Sequence, residues 1–344
     1  MAARVPTKRM KIIVPMAGMG KRMRPHTLTV PKPLIPIAGK PIVQRLVEEL
    51  AAISPEPLEE IAFITGHFGD AVERELIGIA AKLGAKGSIH YQDEALGTAH
   101  AILCAREALN GKVIVAFADT LFKAKINLDP SKDGVLWVKQ IANPEAFGVV
   151  QIDAEGHIQN FVEKPKTFVS DLAMIGIYYF KDGAVLAEEL QYLIDNNVVK
   201  GGEYQLPDAL LNMTRKGAKF VPGTVDDWMD CGNKNATVET NARILDYHAH
   251  EANLVAASAV IENSIVVAPC YIGEGVTLRN TVVGPHASIG SGTIIEYSIV
   301  RNCIVQENSA LRNVNIDNTM LGKHVELKGQ PDAYSLSDYS TLGI

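Results

Sequence analysis

From residue 254 onward aliphatic side chains recur at a step of six: Ile272-Gly273, Leu278, Val283-Gly284, Ile289-Gly290 and Ile295, with Val305 and Leu311 continuing after a slip. Neither a helix nor an ordinary sheet has that period. Such a column is buried only if the chain coils, each side of the coil contributing one inward aliphatic, which is the signature of a parallel β-helix. Asn263-Ser264-Ile265-Val266, Asn280-Thr281-Val282-Val283 and Asn318-Thr319-Met320-Leu321 repeat a second pattern in the same stretch. At three hexads per coil, residues 254–329 give about four coils. Coils bury their aliphatics only against other coils, so the ends need a cap or a partner, and a homo-oligomer is expected. Residues 330–344 read as a polar tail.

The preceding 250 residues follow a different rule. Apolar strands are expected at 11–15, 60–65, 88–92 and 113–118, with helices at 41–53, 69–83 and 97–109 between them. Alternation at this spacing implies right-handed crossovers and a mostly parallel, doubly wound sheet, with ligands at the carboxyl ends of its strands. Shorter strands follow at Val135–Lys139, Gly148–Ile152, Ile158–Glu163 and Met174–Phe180, then helices at 183–194, 206–216 and 233–248. Residues 1–250 are therefore expected to form one Rossmann-like α/β domain with a mixed sheet.

Charge narrows the ligand class. Residues 1–40 contain nine Lys or Arg and no acidic residue, while the other 304 carry 24 basic and 39 acidic side chains and the whole chain stands at −6. A positive mouth on an acidic body focuses a small anion, and the absence of a basic stripe elsewhere argues against nucleic acid. No run approaches the 18 apolar residues of a membrane span, and Ile12 to Met16 is too short for a signal segment, so a cytoplasmic protein without a membrane partner is expected. Cys104, Cys231, Cys270 and Cys303 lack the spacing of a zinc site or a disulfide framework and read as small buried apolar residues.

The positive mouth has internal order. Lys11-Ile-Ile-Val-Pro15 reads as a buried first strand, and Ala17-Gly18-Met19-Gly20 as a turn whose backbone can approach an anion closely. Lys21, Arg22 and Lys32 add charge-assisted donors, so the segment suits a nucleoside triphosphate. It is not a Walker loop, because Gly20-Lys21 is followed by Arg22 instead of Ser or Thr. Nor is it a dinucleotide fingerprint, because Met23 and Pro25 stand where a small residue would open a helix.

Ala17-Gly18-x-Gly20-x-Arg22-x-x-Pro25-x-Thr27, followed by Pro31-Lys32-Pro33-Leu34 and Lys40-Pro41, resembles the opening signature of the sugar-1-phosphate nucleotidyltransferases. The short glycine loop is most like the bacterial UTP:glucose-1-phosphate branch, and the Lys-Pro-Leu segment is closer to the thymidylyl and guanylyl branches. The resemblance implies a nucleotide-sugar-forming reaction, dTTP or UTP plus a sugar 1-phosphate such as glucose 1-phosphate giving NDP-sugar and pyrophosphate, and a tail folded as a left-handed β-helix. It also implies catalytic roles for Arg22, Lys32 and Lys164, and nucleotide contacts from Ala17, Gly18 and Gly20. In Tyr91-Gln92-Asp-Glu-Ala-Leu-Gly97-Thr98-Ala-His100, Gln92 offers a donor and an acceptor to a pyrimidine edge, Gly97 exposes backbone, and Thr98 belongs to the same nucleotide-binding segment. His100 reads as a packing or helix-surface residue.

Two anionic reactants require charge neutralisation more than covalent chemistry. Asp119, at the end of Val113-Ile-Val-Ala-Phe-Ala, and Asp230, in Trp228-Met-Asp230-Cys-Gly232, are the carboxylates that the resemblance assigns to Mg²⁺. Phe147-Gly148-Val-Val and Glu163-Lys164-Pro165 resemble the family's sugar-phosphate motifs, with Glu163 accepting from sugar hydroxyls, Lys164 on the attacking phosphate, and Gly148 and Gly176 admitting the sugar. Glu203-Tyr-Gln-Leu-x-Asp208 resembles a further family motif and equally a capped helix start. Three other readings compete: a guanylyl- or adenylyl-transferring member, a non-catalytic regulatory homologue that binds a nucleotide sugar, and an acyltransferase using His286 or His324 in the coil.

Overall fold

The structure is a computed structural model and describes residues 9–124, 128–251, 254–330, 335 and 337. Most of the tail at 330–344 lies outside these residues. The chain forms two compact units, Met1–Ile35 with Pro41–Gly232, and Pro36–Lys40 with Asn233–Ile344.

The first unit is built on a nine-stranded mixed sheet. Strand β1 (Met10–Pro15) is buried along its whole length and is followed by α1 (Ile42–Ile53), β2 (Leu58–Thr65), α2 (Asp70–Lys82), β3 (Lys86–Tyr91), α3 (Thr98–Leu103) and β4 (Val113–Ala116). β1 pairs in parallel with β2 on one side and β4 on the other, and β2 pairs in parallel with β3. The strand order therefore reverses between β1 and β4, and the crevice at their carboxyl ends is where an open α/β sheet takes its ligand. Branched and aliphatic side chains such as Ile13, Val113 and Val115 fill the core between the sheet and α3, as a strand covered on both faces requires.

The chain then runs through β5 (Thr120–Lys123), β6 (Gly134–Gln140), β7 (Gly148–Ile152), β8 (Ile158–Glu163) and β9 (Leu172–Phe180), then α4 (Gly183–Asp195), α5 (Leu206–Arg215), β10 (Phe220–Thr224) and β11 (Asp227–Asp230). β9 is antiparallel to β4, β6 and β7, which makes the sheet mixed. Asp182 caps α4 by accepting from the Ala184 N–H at 3.0 Å.

Two local features differ from the sequence expectation. Helix α3 ends at Leu103 and a separate 3-10 turn covers Arg106–Ala108, although Ala105, Ala108 and Leu109 stay buried, so the apolar spacing runs through the break unmarked. β10 and β11 are strands in a stretch, 217–232, for which the sequence pattern predicts no element. β11, which begins at Asp227, pairs antiparallel with β5.

The second unit consists of α6 (Lys234–Tyr247), residues 36–40 and the stacked coils. Although the sequence groups the helix at 233–248 with the first domain, polar contacts seat it in the second unit. Fully buried Asn241 accepts from Ser288 Oγ at 2.7 Å and from the Ala38 N–H at 2.9 Å. His286 Nε2 lies 2.8 Å from Asp246 Oδ1.

Short parallel strands stack into three sheets of five, four and four strands. The inward column runs Ile272, Leu278, Val283, Ile289, Ile295, Val300, Val305 and Leu311, all buried. Its steps are a mixture of six and five residues. Rungs accordingly pair Val260 with Thr277 and Thr277 with Ile294, 17 residues apart, then Ile294 with Ala310 and Ala310 with Glu326, 16 apart. The coil is thus shorter than the 18 residues that three hexads give. Corners are turned by residues with positive φ, among them Asn263, Asn280, Asn302, Asn313 and Asn318, and His286 and His324 occupy the same kind of corner. Cys270 and Cys303 belong to this core, Cys231 is buried in the first unit, and Cys104 is half-buried. Among the described residues no helix is long and apolar enough to cross a membrane.

Candidate active site

A cavity of about 270 Å³ opens at the carboxyl ends of β1 and β4, walled by Ala17 and Gly18, Lys32, Gln92, Gly97, Thr98, Asp119 and Glu203. After β1 the chain leaves the sheet late, because the Met16 N–H still donates to Ile64 O at 2.8 Å. Gly18 then has open space where a side chain would project. Gly20 works differently: it adopts φ +56, a Cβ there would come within 3.1 Å of Lys32 Cβ, and its carbonyl accepts from Thr27 Oγ1 at 2.9 Å. It shapes the loop from outside the cavity wall.

Lys32 is delivered by a 3-10 turn at Lys32–Leu34, and its ammonium donates to Asp119 Oδ2 at 2.9 Å. Asp119 follows β4, and its carbonyl accepts from the Cys231 N–H at 2.9 Å. Since Asp230 pairs with Thr120, the two aspartates sit at adjacent positions of neighbouring strands. Asp230 Oδ1 accepts from the Gly232 N–H at 3.0 Å. A Cβ on Gly232 would lie 3.0 Å from both Asp230 oxygens and 3.2 Å from Arg22 Nη2, so the Arg22 guanidinium stands at the same point. Burial, then the charge of Asp119, push the Asp230 carboxyl above its ordinary value, and the Gly232 amide, Lys32 and Arg22 offset only part of this. Two hard carboxylates held against mutual repulsion fit a divalent cation such as Mg²⁺. Among the described residues no cluster of three or more acidic, His or Cys side chains gathers at one point, so phosphate oxygens and water would complete its coordination.

On the opposite wall, the Gln92 N–H donates to Thr65 O at 2.9 Å, fixing the residue at the end of β3. Its amide nitrogen lies 3.3 Å from Gly97 O and 3.2 Å from His100 Nδ1. Gly97 has φ +108, and a Cβ there would meet Tyr204 O at 2.5 Å, so glycine alone fits. Leu96 O accepts from the Tyr204 N–H at 2.8 Å and Tyr204 O from the Ala99 N–H at 3.0 Å. These bonds seat the segment before α5 and bring Glu203 into the cavity wall. Thr98 lines the cavity too, but its hydroxyl accepts from the Leu206 N–H at 3.0 Å, so it anchors the start of α5.

Gly148, Glu163 and Lys164 gather at the paired ends of β7 and β8, where Gly148 stands opposite Glu163. A Cβ on Gly148 would come within 2.7 Å of Glu163 Oε2, so the glycine lets the carboxylate lie across the backbone. Lys164 has φ +44 and its ammonium lies 3.7 Å from Glu163 Oε1. Gly176, at φ +82, accepts from the Phe117 N–H at 3.0 Å within an irregular stretch of β9.

Two aromatic contacts tie this cluster to the aspartates. Phe147 meets Trp228 edge to face with ring centroids 4.8 Å apart, bracing the Gly148 turn on the strand that carries Asp230. Buried Tyr178 meets Phe117 edge to face with ring centroids 6.3 Å apart, and burial first, then the charges of Glu163 and Asp119, hold its hydroxyl protonated. Phe117, on the cavity wall, and Tyr178, packed against it, are not flagged by the motifs, because aromatic spacing around a strand reads simply as core. Glu203 had a signal, its motif.

A reversal point in an open α/β sheet, paired carboxylates at that edge and basic side chains converging on them define an enzyme that handles nucleotide phosphates. Residues 11–247 match the sequence profile described as Nucleotidyl transferase, and the chain belongs to that family. It is 28% identical to the glucose-1-phosphate thymidylyltransferase of Streptomyces griseus over 94% of this chain and 95% of that one. The enzyme of the same name from Streptomyces antibioticus is also 28% identical, over 97% and 99% of the two chains. The fold is shared with a UDP-glucose pyrophosphorylase solved with UDP-glucose, at a TM-score of 0.57 and 24% identity over 70% of this chain and 99% of that one.

Proposed function

We propose that this nucleotidyltransferase joins UTP or dTTP to a sugar 1-phosphate, glucose 1-phosphate being the leading candidate, with release of pyrophosphate. The observation that carries this reading is the meeting of Lys32, Asp119, Asp230 and Arg22 at one end of the sheet, with Glu163 and Lys164 gathered at Gly148 and tied to the Asp230 strand by the Phe147–Trp228 contact. Full-length likeness to two glucose-1-phosphate thymidylyltransferases supports it.

In this reading a phosphate oxygen of the sugar phosphate attacks the α-phosphorus, the new O–P bond forms, and the bond to the β-phosphate oxygen breaks in line. Lys164 holds the attacking phosphate and Glu163 accepts from sugar hydroxyls. Arg22 and Lys32 take up the charge that develops on pyrophosphate, the planar guanidinium bridging two oxygens and the ammonium acting as a point charge. Asp119 and Asp230 would hold Mg²⁺, which supplies charge neutralisation between the reactants. Ala17 and Gly18 pass the triphosphate close to backbone, and Gln92 and Gly97 face the base.

The β-helix suits self-association: Ile265, Val282 and Ile299 stand in register on one side of three successive coils, and Ile265 and Ile299 are 62% and 39% exposed. A second copy of the chain is the partner in this reading.

Incubating the full chain with Mg²⁺, a panel of nucleoside triphosphates and sugar 1-phosphates, and measuring pyrophosphate, tests the proposal. Release with UTP or dTTP is expected. Binding of a nucleotide sugar without turnover of any pair would make the chain a regulatory homologue instead.

A further inference from the structure

The base-facing wall depends on which way the Gln92 amide is turned, and His100 bears on that choice. The amide group standing 3.3 Å from Gly97 O must be the NH₂, because a carbonyl oxygen only accepts. Its second hydrogen then points to His100 Nδ1, 3.2 Å away, which must accept and so carry no proton. Gly97 O is a weak anchor by itself, since it already accepts from the Ala101 N–H at 3.0 Å. With both amide hydrogens engaged, the oxygen is the group left for the cavity that Gln92 lines.

We propose that His100 is a positioning residue for base selection: by accepting from Gln92 it holds the amide oxygen toward the base, so the subsite receives a ring N–H. Uracil and thymine present that donor at N3, whereas cytosine presents a bare acceptor there. The spacing explains the pairing. His100 lies one helical turn beyond the Gly97 that opens α3, which puts its ring over the end of β3. The inference rests on the reading of this chain as a pyrimidine nucleotidyltransferase.

The test compares wild type, His100→Leu and His100→Asn as full chains with Mg²⁺ and glucose 1-phosphate, measuring kcat/KM for UTP, dTTP and CTP by pyrophosphate release. In His100→Leu the preference for UTP and dTTP over CTP is expected to fall about tenfold, the worth of one oriented hydrogen bond. His100→Asn, whose side-chain oxygen can accept in place of Nδ1, restores most of it. An unchanged preference in His100→Leu, with activity kept or lost uniformly, would overturn the proposal. Nitrogen NMR of the wild-type imidazole is an independent check that needs no variant to fold: the proton is expected on Nε2, and finding it on Nδ1 refutes the assignment. If wild type turns over no pair at all, the nucleotidyl-transfer reading fails, and the NMR result still decides how the amide is held.

Discussion

The Lys32 ammonium donates to Asp119 Oδ2 at 2.9 Å, joining the exit of the glycine-rich loop to the strand end that carries the first aspartate. With its side chain only 13% exposed, Lys32 is a directed charge held between Pro31 and Pro33. Lys32→Met is therefore expected to lower kcat/KM roughly a hundredfold, the usual scale for one preorganised donor on developing phosphate charge. Steady-state kinetics with the nucleotide varied reads this directly, and a variant within a factor of two of wild type would remove Lys32 from the site.

Asp119→Asn or Asp230→Asn keeps shape and loses charge. Turnover is expected to fall roughly a thousandfold or more in each, while circular dichroism stays unchanged, because in the proposed reading the carboxylates hold a cation and neither belongs to the buried core. Restoration by raised Mg²⁺ in one variant alone would rank the two as ligands.

Gly148→Ala separates the two substrates. The added methyl meets Glu163 Oε2 at 2.7 Å and Met174 Cε at 2.5 Å, so the Glu163 carboxylate must move. KM for the sugar phosphate should rise about tenfold or more, with KM for the nucleotide nearly unchanged. Equal effects on both constants would argue that Glu163 does not touch the sugar.

Glu60 links stability to pH. Burial alone would raise its carboxyl, but the Ser88 hydroxyl and the charges of Lys86 and Lys11 outweigh this and leave it lowered from 4.5. A lowered folded value means that its contribution is complete above the unfolded value and is lost as the pH falls through the folded one. Denaturant unfolding should therefore find Glu60→Gln less stable than wild type at pH 7, with the gap closing as the pH falls below the ordinary value of 4.5 and through the lowered folded one. A gap independent of pH would refute the linkage.

Ile265→Asp with Ile299→Asp adds charge to the exposed side of the coils and leaves the buried column intact. Sedimentation should show a smaller species than wild type with unchanged unfolding temperature. An unaltered sedimentation coefficient would mean that copies do not meet on this face.

Legibility in the sequence tracked how local the cause was. The alternation to residue 120 and the aliphatic column of the coils announced both architectures, because burial on both faces of a strand and on the inside of a coil leaves periodic marks. What did not show was built from long-range or polar contacts. β11 is a strand only because β5 lies beside it, and α6 belongs with the coils through Asn241, a polar residue on a helix with no strong apolar face. The motif residues resolved similarly. Asp119, Asp230, Lys32 and Arg22 converge as their chemistry requires, but Thr98 spends its hydroxyl on α5 and Gly20 stands behind Lys32. His100 looked like packing because its partner, Gln92, sits eight residues earlier on another element.

The uneven coils carry a lesson about drift. Since most corners are turned by a left-handed residue and each side may take five or six residues, a single deletion can be absorbed within one side while the rungs above and below stay paired. The count of coils, more than the length of any one, is what such a tail preserves, and a search with a rigid six-residue ruler would miss coils that are fully formed.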